Sequence, residues 1–178
     1  MEYKVRSTYT KARSAARRAA DIAVILLICA ALVFAVFKFV LVPFSVENSL
    51  VKDLEEGQLI LVDRVSKFIS DYKAGDIVRI NRGRGFELIR VAAGGGSRYE
   101  VRGGRAYLDG CLIDESAYSE GWGEDAEFYI SVPEDSLLLL PDSREGIDSL
   151  EGFTVRCAEV FGEVRLRIHP LKKLNLFI

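Results

Sequence analysis

The chain has 178 residues, 49% of them apolar and 28% charged, and this composition excludes a disordered or collagen-like polymer. The net charge of −2 conceals an asymmetry, because residues 1–20 contain six basic side chains and one acidic side chain. Residues 43–178 contain 17 basic and 24 acidic side chains, a balance of −7. This larger part offers no basic surface for a phosphate backbone, so we expect no nucleic-acid partner.

An apolar run near the N-terminus predicts a membrane span. Residues 22–37 are sixteen consecutive apolar residues, and the run resumes after Lys38 as FVLV before Pro43. As a helix, residues 22–42 would be about 30 Å long, which is the thickness of a bilayer's hydrocarbon core. The sequence therefore predicts a transmembrane helix over residues 21–42, with the Lys38 ammonium reaching the headgroups.

A cleaved signal peptide is the alternative interpretation of this segment. Its apolar region would run about 7 to 15 residues and end in a small-x-small site, so the longer run here favours a retained anchor. The positive charges that precede the span place the basic tail, residues 1–20, in the cytoplasm. We therefore expect a single-pass plasma-membrane protein whose main domain, residues 43–178, is extracytoplasmic.

The rest of the chain has the pattern of a β protein. Short alternating or β-branched runs are separated by turn signals such as Gly103-Gly104 and Asp109-Gly110, as in hairpins and small barrels. Cys111 and Cys157 could form a disulfide, but two unpaired, buried side chains are the simpler interpretation. There is no CxxC motif or Cys/His cluster, so neither a metal nor a cofactor is predicted.

A series of boxes in chain order carries a family resemblance. They are Ser45-Val46-Glu47-Asn48-Ser49-Leu50 directly after the apolar run, residues 57–62, residues 73–78, the pair Ile89-Arg90, the hairpin 101–110, the segment 141–149, and residues 162–167 followed by Pro170-Leu171. In this order they resemble the type I signal peptidases, membrane-anchored serine proteases that remove signal peptides with a Ser-Lys dyad. The resemblance covers about residues 20 to 175. It implies a mainly β protein: one N-terminal transmembrane helix followed by a signal-peptidase/LexA-like β-rich extracytoplasmic domain.

The resemblance assigns the catalytic positions. It places the nucleophile at Ser45, whose hydroxyl needs a proton acceptor. The family's acceptor is a lysine held neutral by burial, and here that position is Ile89, which has no basic atom. The adjacent Arg90 cannot replace it, because a guanidinium stays protonated.

Other departures from the family pattern indicate lost catalysis. The residue two before Ser45 is Pro43, which has neither a hydroxyl nor an N–H for an oxyanion site, and Val46 and Asn48 replace the family's methionine and proline. The single histidine, His169, is expected at the surface or in packing. Lys52, Lys67 and Lys73 are expected to be solvated.

Two further segments have open interpretations. By resemblance Asp142, Ser143, Arg144, Asp148 and Ser149 match the part of the family that supports the dyad, although a structural turn with an Arg144–Asp148 pair is the simpler interpretation. The acidic segment 115–127, with Trp122, is either a solvated loop or a partner-binding lip.

The sequence is compatible with two functions. In the favoured one, the protein has lost proteolysis and binds an extended segment of an exported preprotein or pilin-like polypeptide, as do accessory proteins of pilus assembly in Gram-positive bacteria that the chain resembles. Membrane lipid is a second expected partner. In the alternative, the protein is an active signal peptidase with Ser45 as nucleophile and a base that the sequence does not identify.

Overall fold

The computed structural model describes residues 2–65, 72–83, 85–169 and 175–176. The chain divides into two compact units, residues 1–40 and 41–178. The described residues of the first unit form a single helix, and those of the second form strands and two short 3-10 helices, Glu151–Phe153 and Cys157–Glu159.

The helix α1 runs from Glu2 to Phe39, so the basic tail is helical as well. Its segment Arg18–Val36 has a mean hydropathy of 2.8, and its length and composition suffice to cross a membrane. The predicted helix through residue 42 is wrong at its C-terminal end, because Leu41–Ser45 form a strand. Pro43 gives the reason: it lacks a backbone N–H and disfavours the helical conformation of the residue before it.

The second unit contains twelve strands among the described residues. This confirms the predicted mainly β fold with one N-terminal apolar helix. The strands are β1 (Leu41–Ser45), β2 (Leu59–Asp63), β3 (Ile77–Asn81), β4 (Phe86–Ala93), β5 (Arg98–Arg102), β6 (Arg105–Leu108), β7 (Cys111–Leu112), β8 (Phe128–Ser131), β9 (Ser136–Leu140), β10 (Thr154–Arg156), β11 (Val160–His169) and β12 (Asn175–Leu176).

Eight strands form the larger sheet, in the order β1-β2-β11-β3-β4-β9-β10, with β12 beside β11. Neighbouring strands are antiparallel throughout. Pro43 is compatible with β1 because this strand lies at the sheet edge, where one side makes no ladder hydrogen bonds.

The two faces of the larger sheet carry different apolar clusters, because side chains alternate along each strand. The loop-side cluster consists of Val46, Val51, Leu54, Ile60, Val62, Ile77, Leu88 and Val164. The opposite-side cluster consists of Tyr72, Val78, Ile80, Ile89, Val91, Leu137, Leu139 and Val160. Consecutive residues of β4, Leu88 and Ile89, therefore point to opposite faces.

The smaller sheet has four strands in the order β7-β6-β5-β8. Its inner face packs Tyr99 and Val101 of β5 against Leu138 and Leu140 of the larger sheet. The turn between β6 and β7 is Asp109-Gly110, with φ of 51° and 80°, as a two-residue hairpin requires. Cys111 and Cys157 are unbridged, and Cys111 is exposed, so the expectation of two buried thiols is wrong for Cys111.

Candidate functional site

Ser45, the predicted nucleophile position, is the last residue of the edge strand β1. It pairs with Leu59 of β2, and its side chain is exposed. The residues on either side of it, Phe44 and Val46, both pack on the loop-side cluster. By the alternation of the strand, Ser45 therefore points away from that cluster.

Ser45 also borders a small cavity of about 10 Å³, together with Glu47 and Arg79. The Arg79 guanidinium lies 3.7 Å from the Phe44 ring centre and 3.5 Å from that of Phe86. Burial lowers the pKa of Arg79, and the nearby Glu47 carboxylate partly offsets this effect. A guanidinium remains a donor in either case and cannot accept the proton of a serine.

The loop that follows β1 is fixed to β4 by backbone hydrogen bonds. The Leu88 N–H donates to the Asn48 carbonyl at 3.1 Å, and the Leu50 N–H donates to the Leu88 carbonyl at 2.9 Å. Ser49, between them, pairs with Leu88 in a parallel bridge. The Ser49 hydroxyl donates to the Val51 carbonyl at 3.1 Å and accepts from the Val51 N–H at 3.2 Å.

A buried ion pair holds the end of this loop. Arg90 donates from Nε to Oδ1 of Asp142 at 2.8 Å and from Nη2 to Oδ2 at 3.0 Å. Oδ2 also accepts the backbone N–H of Lys52 at 2.9 Å, and the Asp142 N–H donates to the Leu50 carbonyl at 2.9 Å. Because this bidentate pair is buried, Asp142 acts as a rigid link between β4 and the loop.

The loop and this ion pair border a cavity of about 340 Å³. Ser49 and Ser143 contribute its two hydroxyls, and Asp142 forms part of its wall. The sequence analysis did not single out Ser49 as a candidate, although it stands in the same box as Ser45. The remaining lining residues are Leu50, Val51, Lys52, Glu120 and Pro141.

Ile89 is fully buried in the opposite-side cluster, on the face of β4 that points away from the loop. The β4 side chain that contacts the loop-side cluster is Leu88, another hydrocarbon. Neither the predicted base position nor its neighbour supplies an atom that could accept a proton from a serine of the loop.

The other sequence candidates for a base are dispersed. Lys52 Nζ forms an ion pair with Glu120 Oε1 at 3.2 Å, and 65% of the Lys52 side chain is exposed. Lys73 is exposed in a turn, and His169 is exposed at the end of β11. Lys67 and Pro170-Leu171 lie outside the described residues.

His169 has one notable position. It pairs with Leu59 of β2 from one side, while Ser45 pairs with the same residue from the other side. Two strand spacings of about 4.8 Å put the backbones of Ser45 and His169 about 10 Å apart. Within the described part of the chain, no hydrogen bond joins their side chains.

Arg144 has a different partner from the one expected. Its Nη2 lies 3.3 Å from Glu115 Oε1, with both side chains buried, and Nη1 donates to the Pro141 carbonyl. The predicted Arg144–Asp148 pair is therefore wrong. Asp148 is exposed, and a buried guanidinium requires a partner that reaches the interior.

Glu115 also organises the acidic segment. Its Oε2 accepts from the Tyr99 hydroxyl at 3.1 Å, and the same hydroxyl accepts from Trp122 Nε1 at 3.3 Å. Burial, with a further contribution from Glu115, raises the pKa of Tyr99. Trp122 packs on Phe128 with ring centres 5.4 Å apart. The partly buried Trp122 therefore packs against the core, and Glu115 anchors the start of the segment.

No group of three or more His, Cys, Asp or Glu side chains in the described residues is placed to hold a metal ion. The chain is thus a mainly β protein with an N-terminal apolar helix and a loop-bordered cavity, the architecture of a signal peptidase I-like fold. It belongs to the family described as signal peptidase, peptidase S26, whose model matches residues 19–169.

Two signal peptidases are similar to the chain. The chain is 25% identical to signal peptidase I of Bacillus amyloliquefaciens in an alignment of 143 residues that covers 74% of this chain and 77% of that protein. A signal peptidase I structure from Enterococcus faecalis is similar with a TM-score of 0.43 and 22% identity, covering 52% of this chain and 95% of the other. Signal peptidase I homologues are membrane-anchored, and membership of the family implies a preprotein peptide as the ligand class.

Proposed function

We propose that this protein is a signal-peptidase-like domain that binds an extended segment of an exported polypeptide without efficient hydrolysis. The observation that carries the proposal is Ile89, a buried hydrocarbon at the family's base position. The Ser49 hydroxyl supports it, because both of its hydrogen bonds are to the backbone of its own turn. A serine in this state has no group to remove its proton.

Peptide binding requires less than catalysis. An extended segment can add to a free sheet edge, where main-chain hydrogen bonds provide affinity and pockets select alternate side chains. The larger sheet ends in β1, next to the loop, and the cavity of about 340 Å³ adjoins that loop. The Arg90–Asp142 pair keeps the loop in place whether or not a catalytic base is present.

The cellular setting is part of the proposal. The basic helix end before the apolar segment favours a cytoplasmic N-terminus and an extracytoplasmic β domain in a single-pass membrane protein, in contact with membrane lipid. The client would be an exported preprotein or pilin-like polypeptide, and a role in pilus or surface-protein assembly follows the resemblance to accessory proteins of Gram-positive bacteria. The orientation is tested with two variants that each carry a single cysteine, one at residue 2 and one at the exposed Cys111. Each variant is labelled on intact cells with a reagent that does not cross the membrane.

The direct experiment is a cleavage and binding assay with the full chain in detergent. A preprotein that a catalytically competent signal peptidase cleaves is incubated with the parent protein, Ser45→Ala and Ser49→Ala. We expect no product above the level of the two alanine variants, together with retained binding of the preprotein. Cleavage by the parent that either alanine variant abolishes would refute the loss of proteolysis.

A second candidate function is supported by the strand pairing, in which Ser45 and His169 lie on either side of Leu59. If the histidine side chain turns toward Ser45, it supplies the base of an active peptidase. Cleavage would then require both residues. Cleavage by the parent that both Ser45→Ala and His169→Ala abolish distinguishes this function from the first.

A further inference from the structure

The outer face of the smaller sheet has a composition unlike the rest of the domain. Its outward side chains include what we call the arginine face, which consists of Arg98, Arg102, Arg105, Tyr107, Leu112 and Tyr129. Tyr129 is 75% exposed and Leu112 is 59% exposed. Scattered apolar residues are normal at a surface, but these two lie in one cross-strand row.

The register of the strands defines that row. Leu112 pairs with Tyr107, Tyr107 pairs with Glu100, and Glu100 pairs with Tyr129. Paired residues in adjacent strands point to the same face, so the row crosses all four strands, with the Glu100 carboxylate between the two tyrosines. Tyrosine and arginine are the residue types enriched where proteins bind one another.

The guanidinium groups on this face are held in position and still accessible. Glu100 accepts from Arg98 Nε through Oε1 and from Arg102 Nη2 through Oε2, each at 2.5 Å. The two arginine side chains remain 60% exposed, whereas only 10% of the Glu100 side chain is exposed. Arg102 also stacks 4.8 Å from the Tyr107 ring centre. Donors that are fixed in this way lose little freedom when they bind a carboxylate.

Two like charges also repel each other on this face. Arg102 and Arg105 are directly opposite each other beside the hairpin turn, and like charges at such positions are destabilising. Arg105 has no ion-pair partner among the residues that the structure describes. The arginine face thus has one carboxylate among three guanidinium groups, although the net charge of the domain is negative.

We propose that the arginine face is a docking surface for an acidic segment of another polypeptide. The partner's carboxylates would take the exposed donors of Arg98, Arg102 and Arg105, while its apolar side chains would pack on Tyr129 and Leu112. A polypeptide fits better than an anionic membrane, because it can place its carboxylates beside the arginines and away from the central Glu100, whereas a continuous sheet of lipid phosphates would also face that carboxylate. The surface is distinct from the cavity beside Ser49, so this inference does not depend on the proposed function.

The test uses the full chain in neutral phosphatidylcholine nanodiscs and a fluorescent ten-residue peptide of alternating glutamate and valine. Anisotropy should show binding that weakens with added salt, and a lysine–valine peptide should not bind. Arg102→Gln combined with Arg105→Gln should reduce affinity at least tenfold, and Tyr129→Ser should reduce it independently. Arg156→Gln, at an exposed arginine of β10, is the matched control and should leave affinity unchanged.

Each other outcome overturns the proposal. Equal binding by the parent and the Arg102→Gln/Arg105→Gln variant would show that the arginine face is not the site, provided that both melt at the same temperature. Binding to phosphatidylglycerol vesicles that depends on Arg105, without binding of the glutamate peptide, would assign the face to lipid. A concentration-dependent doubling of mass that the variant abolishes, again without peptide binding, would assign it to a second copy of the chain.

Discussion

Arg90 and Ile89 are adjacent residues of β4, but their surroundings differ: the first lies in a polar region and the second in an apolar one. Around Arg90, the polar region is complete: a buried bidentate ion pair with Asp142 binds the loop through the Lys52 N–H. Ile89, one residue earlier and on the other face, is fully buried in the opposite-side apolar cluster. Under the proposed function, the residues that stabilise the fold around the site are maintained without the group that performs its chemistry.

Ile89→Lys gives the largest expected effect and tests the apolar side of this comparison. Full burial lowers a lysine pKa by about three to five units, which corresponds to about 4 to 7 kcal/mol of lost stability well below the lysine's normal pKa. The loss should diminish as the pH rises toward about 10, because the folded variant binds fewer protons than the unfolded chain. Urea unfolding at several pH values measures it.

Ile89→Val is the matched control for this substitution and should cost only about 0.5 to 1.5 kcal/mol. If Ile89→Lys were as stable as Ile89→Val, the side chain would not point into the opposite-side cluster.

Asp142→Asn tests the polar side. It leaves the Arg90 guanidinium buried without its counter-charge, and breaking such a pair costs about 3 to 5 kcal/mol. Hydrogen exchange at the Lys52 N–H should accelerate, because that amide loses its charged acceptor. Asp148→Asn, at an exposed carboxylate, should change the free energy of unfolding by less than about 0.5 kcal/mol. Equal effects of the two substitutions would contradict the assigned pairing.

Tyr99→Phe has a smaller effect with a characteristic pH dependence. Loss of the hydroxyl leaves Trp122 Nε1 and one oxygen of Glu115 without their partner, at a cost of about 1 to 3 kcal/mol near neutral pH. The raised pKa of Tyr99 means that the unfolded chain loses this proton first. The stability from Tyr99 should therefore be complete below about pH 10 and decline above it.

The measurement is urea unfolding between pH 8 and 11, values chosen to bracket the ordinary tyrosine pKa of about 10. The parent should lose stability more steeply at the alkaline end than Tyr99→Phe does. If the free energy of unfolding of Tyr99→Phe depends on pH as steeply as that of the parent, Tyr99 does not contribute to the pH dependence.

Much of the fold was predictable because its signals are local. Alternation and turn residues such as Asp109-Gly110 predicted the strands and hairpins. The helix end was misplaced because hydropathy extends to residue 42, whereas the backbone restriction imposed by Pro43 ends the helix at Phe39.

The site was predictable only in part. The resemblance selected Arg90 and Asp142, but local spacing suggested Asp148 as the partner of Arg144. The actual partner, Glu115, lies 29 positions earlier in the chain, within a segment without periodicity. Burial distinguishes it from the neighbouring acidic residues, and burial depends on tertiary packing that the sequence pattern does not contain. Ser49 was missed because the loop's attachment to Leu88 is likewise a long-range contact.

Single-turnover cleavage of a labelled preprotein tests the central claim most directly, with the purified full chain compared with Ser45→Ala, Ser49→Ala and His169→Ala. Removal of one member of a serine-protease catalytic set can reduce turnover by about 10⁶-fold, so the account predicts the same background rate for all four proteins. A parent rate well above that of any one of these variants would contradict it and would identify the protein as a working peptidase.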